Sequence, residues 1–150
     1  MRLIRISIVV FFIIFGGNSI NAQCLSFAKL VAKPQLAPFT HDGNYNATLM
    51  EEGETAELNK TFFSGQEYRL VLATVDALPK NIRIRLLNQQ RKVIYDNADH
   101  NYTYVWDFKL ETTENLIIHI KIPDEDGDKI RVGCIAIMFG IKMSEKQKKR

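Results

Sequence analysis

The sequence predicts an all-β protein, a single antiparallel β-sandwich of about seven or eight strands with an N-terminal strap. Apolar residues alternate with polar ones through most of the chain, and clusters of Gly, Asn and Asp separate the alternating runs. No helical period lasts longer than two turns. Short strands at this spacing are typical of two antiparallel sheets packed face to face.

The run from Thr61 to Val75 predicts the central strand. The turn residues Ser64, Gly65 and Gln66 precede a segment rich in aromatic and β-branched residues. A segment of this composition that follows a glycine is typical of a buried strand. We expect the later apolar runs to pair around it.

The remaining strands follow from period-two alternation. In one of them, Ile82, Ile84 and Leu86 share a face, as expected for a strand with one solvated side. The predicted strands, in chain order, are residues 47–50, 55–63, 82–86, 93–95, 102–110, 116–122 and 131–141.

Residues 1–22 have the composition of a secretory signal peptide. A short basic start is followed by the apolar run from Ile6 to Phe15 and by a small residue before the predicted cleavage between Ala22 and Gln23. The alternative is an uncleaved anchor, but a spanning helix needs about 20 apolar residues. We therefore expect a secreted or periplasmic mature chain with no integral membrane span.

Cys24 and Cys134 are the two cysteines of the chain. In an oxidising compartment such a pair predicts one disulfide, with two unpaired thiols as the alternative. The disulfide would tie the first residues of the mature chain to the last strand. Residues 25–32 have weak helical spacing, and Pro34 and Pro38 then predict an extended path, so this segment is interpreted as a strap.

The charge distribution divides the mature chain into a body, residues 23–141, and a basic tail, residues 142–150. The body contains 13 Lys and Arg against 16 Asp and Glu, whereas the tail contains five basic residues and one acidic residue. A body without a basic face does not suit nucleic acid, so no nucleic-acid partner is expected. The tail is interpreted as a solvated terminus, with contact to an anionic surface as the alternative.

Five short motifs stand out in the body: His41 to Asn44, Glu52 to Glu54, Ser64 to Arg69, Val93 to Asn97 and Trp106 to Phe108. Together they resemble a group of small exported proteins of Bacteroidota that have no assigned function. The order of a G-x-x-Y-x-L strand, an alternating strand, an I-Y-D-N-like turn and a W-D-F strand also resembles β-sandwich modules of the bacterial pre-peptidase C-terminal and GOLD type. Those modules are mostly accessory or binding domains, so the resemblance implies a binding role.

Asp124, Asp126 and Asp128 stand at alternate positions of one loop, where their oxygens could converge on a hard cation such as Ca²⁺. The loop departs from the EF-hand pattern, since glycine occupies its fourth position and Ile135 its twelfth. A solvated hairpin turn around Gly127 is therefore the favoured interpretation.

Tyr102, Tyr104, Trp106 and Phe108 form an aromatic row at two-residue spacing. An exposed row of this kind could stack on sugar rings, because its flat apolar rings carry polar tips. Core packing is the favoured interpretation for the row, with Trp106 buried. Tyr102 and Tyr104 are the members expected to emerge near the strand end.

No pattern of catalytic residues stands out. His41 and His100 each adjoin an aspartate, but neighbours in a strand point to opposite faces, and His119 lies within an alternating strand. No cofactor motif or catalytic residue is predicted. The favoured function is a non-catalytic exported module that binds a glycan or a cell-envelope protein; the alternative is a small secreted hydrolase that uses loop Asp and His residues.

Overall fold

The computed structural model describes residues 19–125, 127 and 130–143, with side chains described from Ala22 onward. The predicted signal peptide therefore lies almost entirely outside the described residues, as does the tail beyond Met143. Both remain predictions from sequence. Within the described ranges, no helix combines the length and the apolar character needed to cross a membrane.

The described chain consists mainly of a helical N-terminal segment and nine strands. The helical segment contains α1 (Ser19–Phe27), a π-helical turn (Ala28–Ala32) and a 3₁₀ turn (Lys33–Leu36). A second 3₁₀ turn spans Asn97–His100. The strands are β1 (Thr40–His41), β2 (Asn46–Glu51), β3 (Thr55–Phe62), β4 (Glu67–Thr74), β5 (Arg83–Leu87), β6 (Val93–Asp96), β7 (Val105–Lys109), β8 (Glu114–Lys121) and β9 (Val132–Ile141).

The strands form two antiparallel sheets, which confirms the predicted all-β sandwich. In the first sheet the order is β1, β9, β4, β7, and β2 pairs with β9 alongside β1. In the second sheet the order is β3, β8, β5, β6. The strand β4 is central, as predicted, because it lies between β7 and β9. The later apolar runs do not all pair around it, since β5, β6 and β8 belong to the second sheet.

The main core fills the space between the sheets. Phe62 at the end of β3 meets three other rings edge-on, with centroid distances of 4.9 Å to Tyr68, 5.1 Å to Phe108 and 5.6 Å to Phe139. Edge-to-face contacts of this kind add about 0.5–1.5 kcal/mol beyond area burial. Aliphatic side chains from both sheets complete this core, among them Leu70, Leu72, Ile84, Leu86, Leu116, Ile118, Ile120, Ile135 and Ile137.

A second, smaller core lies on the outer face of the first sheet, beneath the N-terminal strap. Ala28, Ala32 and Leu36 pack there against the outward-facing residues of β4 and β9, which are Val71, Ala73, Ala136 and Met138. Leu36 is 1% exposed and by itself contributes about 2 kcal/mol of burial free energy. The expectation of an extended path after residue 32 is wrong. Pro34 lies in the first turn of a 3₁₀ helix, where a missing backbone N–H costs no hydrogen bond.

The strap lies so close to β9 that a glycine is required beneath it. A Cβ atom at Gly140 would stand 2.6 Å from the Cβ atom of Phe39. Arg69 fixes the same segment from β4, because its guanidinium donates to the Ala37 carbonyl oxygen at 2.5 Å and lies over the Phe39 ring. The segment after the helical turns is thus fixed on the sheet.

The predicted disulfide between Cys24 and Cys134 is present and connects α1 to β9. The two Cα atoms are 5.2 Å apart, within the usual range for a disulfide. Cys24 is fully buried beside the small core. The disulfide therefore holds the start of the strap against the sheet that the strap covers.

Antiparallel pairing gathers the loops at two opposite ends of the sandwich. Residues 63–66, 88–92 and 110–113 connect strands at one end, which we call the Phe63 end. Residues 52–54, 75–82, 97–104 and the described part of 122–131 lie at the other, which we call the Tyr102 end.

Breaking the disulfide should destabilise the protein strongly, because it closes a loop with a sequence separation of 110 residues. Replacing Cys24 and Cys134 by Ser is expected to lower the free energy of unfolding by about 2–5 kcal/mol. Chemical denaturation of the variant and of the wild type measures this difference. Thiol titration of the unreduced, denatured wild-type protein should find no reactive sulfhydryl, and two reactive groups would contradict the cross-link.

Candidate functional site

The aromatic row does not form one continuous strand. Tyr102 and Tyr104 precede β7, and only Trp106 and Phe108 lie within it. The Trp106 ring stacks between Tyr95 at 3.9 Å and Phe108 at 4.2 Å, centroid to centroid. Trp106 is partly buried rather than fully buried as expected. Because both faces of its ring are covered, this stack favours a packing role for Trp106 and leaves Tyr102, 37% exposed, as the outermost tyrosine of the row.

The backbone of Tyr102 adopts a left-handed conformation that bulky residues rarely take. Its φ is 53°, and the φ of the preceding Asn101 is 54°. Each such residue costs on the order of 1–3 kcal/mol and persists only where the surrounding contacts impose it. The position of Tyr102 is therefore set by its neighbours rather than by its own preference.

Asn97 is the neighbour that imposes this conformation. Its backbone carbonyl accepts a hydrogen bond from the Tyr102 N–H at 2.8 Å. Its fully buried side-chain amide accepts from the Ile84 N–H at 2.8 Å and donates to the Ile82 carbonyl at 3.0 Å. The loop that carries Tyr102 is thus bonded to the second sheet through one asparagine.

Asp96 stabilises the start of the same loop. Its carboxylate accepts from the Ala98 N–H at 3.0 Å, which caps the 3₁₀ turn, and from the Arg83 guanidinium at 2.5 Å. These hydrogen bonds, from Arg83 above all, hold the pKa of the Asp96 carboxyl below its usual value despite its burial. A charged, bonded Asp96 makes the turn rigid.

Tyr104 connects the Tyr102 loop to the neighbouring loop of residues 75–82. Its hydroxyl donates to the Lys80 carbonyl at 2.5 Å and accepts from the Ile82 N–H at 3.4 Å. Burial raises the pKa of this hydroxyl, so it remains a protonated donor. The two loops therefore keep a fixed separation.

The described part of the acidic loop after β8, residues 122–131, lies at the same end of the sandwich as the two loops above. Arg131 donates to Glu52 through Nε at 2.9 Å and through Nη2 at 2.6 Å, and it also bonds Glu125. The hydrogen bond from Arg131 lowers the pKa of the Glu52 carboxyl. Of the proposed calcium ligands, Asp124 is exposed in this loop, whereas Asp126 and Asp128 lie outside the described residues. In the described ranges no group of three His, Cys, Asp or Glu side chains is placed to hold a metal ion.

Residues of these three loops line an open, shallow cleft of about 510 Å³ at the Tyr102 end. We call it the Tyr102 cleft. Most of its lining was not singled out by sequence reasoning, because the loop from Asp76 to Asn81 shows only ordinary turn residues. The lining residues are Asp76, Leu78, Pro79, Lys80, Asn81, Asn101, Tyr102, Glu125 and Arg131.

At the opposite end, the turn of residues 63–66 presents an exposed aromatic ring. We call this segment the Phe63 turn. Phe62 is fully buried, whereas Phe63 is 63% exposed, because adjacent residues at a strand end point to opposite faces. Sequence reasoning placed Phe63 inside a strand and assigned it no role; the pair of phenylalanines directly before a turn was the available signal.

The Phe63 turn is held by hydrogen bonds to β4 and to the loop of residues 110–113. The Phe63 N–H donates to the Tyr68 hydroxyl at 2.9 Å. The Ser64 hydroxyl donates to the Glu111 carbonyl at 2.8 Å, and its N–H donates to Thr113 Oγ1 at 3.0 Å. Gly65, with a φ of 75°, donates to the Leu110 carbonyl at 3.1 Å. The backbone of the turn is therefore rigid although the ring of Phe63 is exposed.

The three histidines occupy separate regions. His100 stacks on Tyr95 at the Tyr102 end, whereas His41 lies near the Phe63 end. The expectation that His41 and Asp42 would point apart is wrong. Asp42 follows the end of β1, and its carboxylate lies 3.8 Å from Nε2 of His41. That carboxylate is engaged by Lys60 at 2.6 Å, and the imidazole Nε2 lies 2.9 Å from the Asn44 carbonyl oxygen.

His119 lies on the outer face of the second sheet, between Glu57 of β3 and Arg85 of β5 in the same cross-strand row. An Arg85 Nη2 atom is 3.4 Å from the imidazole, and Arg91 reaches across the sheet to Glu57 at 2.5 Å. Partial burial, followed by the nearby Arg85 charge, lowers the pKa of His119 below 6.5. Glu57 opposes this shift, and Arg91 adds to it.

Comparison with protein-family models and with curated protein sequences finds no match for this chain. Among solved structures, the fold is similar to that of PliG from Aeromonas hydrophila, a periplasmic lysozyme inhibitor of g-type lysozyme. The match covers 70% of this chain and 89% of that one, with a TM-score of 0.50 and 9% sequence identity. At this identity the likeness concerns the fold alone.

Removing the indole of Trp106 should open the side of the sandwich between β6 and β7. Trp106→Ala is expected to lower the free energy of unfolding by about 3 kcal/mol, at the low end for a tryptophan because the ring is partly exposed. Val105→Ala, one residue away with an exposed side chain, is the matched control and should cost less than about 1 kcal/mol. Equal losses in chemical denaturation would show that the ring stack does not support the fold.

The lowered pKa of His119 should make stability depend on pH as the pH falls through and below about 6.5. The pKa returns to about 6.5 on unfolding, so in this range the unfolded chain binds more protons than the folded chain. The free energy of unfolding therefore falls as the pH falls. His119→Gln should flatten this dependence, as measured by urea denaturation at each pH; a slope equal to that of the wild type would exclude His119 as the cause.

Proposed function

We propose that this protein is an exported, non-catalytic binding module whose partner is a protein. The observation that carries the proposal is the Phe63 turn, in which an exposed aromatic ring stands on a backbone fixed by hydrogen bonds. Export is supported by the disulfide, a cross-link that persists in oxidising compartments, and by the predicted signal peptide.

An exposed ring on a rigid turn has the properties of a binding anchor. Protein interfaces derive most of their affinity from a few large side chains that enter pockets on the partner, and aromatic rings are common among them. Binding costs least when the anchor is already held in position, since little conformational freedom is then lost. Gln66 extends this arrangement by donating to the Lys142 carbonyl at 2.8 Å.

The similar fold of PliG indicates which partner to test first. PliG inhibits a g-type lysozyme, which is a protein-binding activity carried by the same kind of sandwich. A shared fold does not transfer a function, so the partner must be tested directly. We propose a lytic enzyme of the g-type lysozyme class as the partner of this module.

The mature protein, residues 23–150, is expected to bind a g-type lysozyme and to inhibit its hydrolysis of cell walls in a dose-dependent manner. Phe63→Ala should weaken binding by about 2 kcal/mol, or about thirtyfold in Kd, because truncation removes the anchor. Calorimetric titration gives the Kd, and a turbidity assay with suspended cell walls gives the inhibition.

The matched control is Leu30→Ala, which truncates another exposed apolar side chain, 77% exposed, on the strap. It should leave the Kd unchanged. Thermal melting should show both variants folded, since neither side chain is buried. A lysozyme that binds the Phe63→Ala variant as tightly as the wild type would remove the turn as the docking element, and no binding at all would remove this class of partner.

A further inference from the structure

We propose that the Tyr102 cleft binds an uncharged saccharide ring. The cleft lies at the opposite end of the sandwich from the Phe63 turn, so this inference stands independently of the protein partner proposed above. Its volume of about 510 Å³ falls within the range of about 300–1,000 Å³ that is usual for small-ligand sites.

The polar groups of the cleft match the needs of sugar hydroxyls. A hydroxyl both donates and accepts, and the cleft offers a carboxylate at Asp76, an amide at Asn81 and an ammonium group at Lys80. The side chains of these three residues make no hydrogen bond to any residue that the structure describes. Their donors and acceptors are therefore available to a ligand.

Tyr102 supplies the apolar surface that a sugar ring also needs. The C–H faces of a pyranose are apolar, and they pack on flat aromatic rings whose polar edges remain hydrated. Tyr102 is the one aromatic residue among the described residues that line the cleft. The Asn97 hydrogen bonds and the Tyr104 contact with Lys80 fix the backbone of Tyr102 relative to the loop that carries Asp76, Lys80 and Asn81.

Other ligand classes fit the lining less well. The lining carries two carboxylates, Asp76 and Glu125, and two cations, Lys80 and Arg131, so its charges cancel and an anionic ligand gains no net attraction. A fully apolar ligand would leave Asp76, Lys80 and Asn81 desolvated without partners. An uncharged ring with several hydroxyls needs no net charge in the cleft and supplies partners to these polar groups.

The test uses the mature protein and four trisaccharides: chitotriose, cellotriose, maltotriose and trigalacturonate. Ligand-observed NMR by saturation transfer identifies which of them bind at millimolar concentration, and calorimetry gives the Kd. At least one of the three uncharged sugars is expected to bind. Tyr102→Ala should weaken that binding about tenfold, whereas Tyr102→Phe should retain most of it, because the ring rather than the hydroxyl stacks.

Two further variants show whether the sugar binds in the cleft or on another surface. Asp76→Asn should weaken binding without disturbing the Tyr102 loop, and Phe63→Ala at the opposite end should leave the Kd unchanged. The inference is overturned if none of the uncharged sugars binds, if trigalacturonate binds more tightly than all of them, or if neither cleft variant changes the Kd. Each of these outcomes leaves the lysozyme titration unaffected, so the two proposals fail separately.

Discussion

The architecture depends on the burial of β4 and β9 on both faces. One face of this strand pair contributes to the core between the sheets, and the other is covered by the helical strap. Strands covered on both sides read as nearly continuous apolar runs instead of alternating ones. The segments Leu70–Ala73 and Ile135–Phe139 have this character, with every residue buried. Without the strap, the outer face of the first sheet would expose Val71, Ala73, Ala136 and Met138 to water.

Much of the fold could be predicted because its strands obey local rules. The alternation of β8 and the turn after Phe63 are local signals, and two cysteines in an exported chain leave one possible pairing. The helical strap could not be predicted in the same way. Ala28, Ala32 and Leu36 are the strap residues buried in the small core, whereas Leu25, Leu30 and Val31 are exposed, so the apolar pattern does not mark the buried face. The conformation of the strap depends on contact with a sheet formed by residues about 40 to 110 positions later.

The candidate sites were harder to predict, again for physical reasons. The spacing of Tyr102 and Tyr104 suggested a strand, but the Tyr102 N–H bonds the Asn97 carbonyl, and this bond favours the left-handed backbone at Asn101 and Tyr102. Asn97 is itself held by side-chain bonds to residues far away in sequence. The cleft assembles three loops that are separated in sequence, so no local pattern could reveal it. Trp106, in contrast, was singled out by a local pattern, because the two-residue spacing of its row correctly indicated packing. Its partial exposure could not be predicted, because it depends on the position of β7 at the edge of the first sheet.

The position of Lys142, near the end of the described chain, affects how the protein can be fused to another domain or tethered to a surface. The Lys142 N–H donates to the Glu67 carbonyl at 3.0 Å, and the Lys142 carbonyl accepts from Gln66 of the Phe63 turn. The last described residues therefore lie beside that turn. A fusion or surface tether joined directly after Met143 would begin next to the Phe63 turn and crowd it, while the cleft at the far end would face the solution. An amino-terminal tether ahead of Cys24 would begin near the disulfide, on the flank that the strap covers.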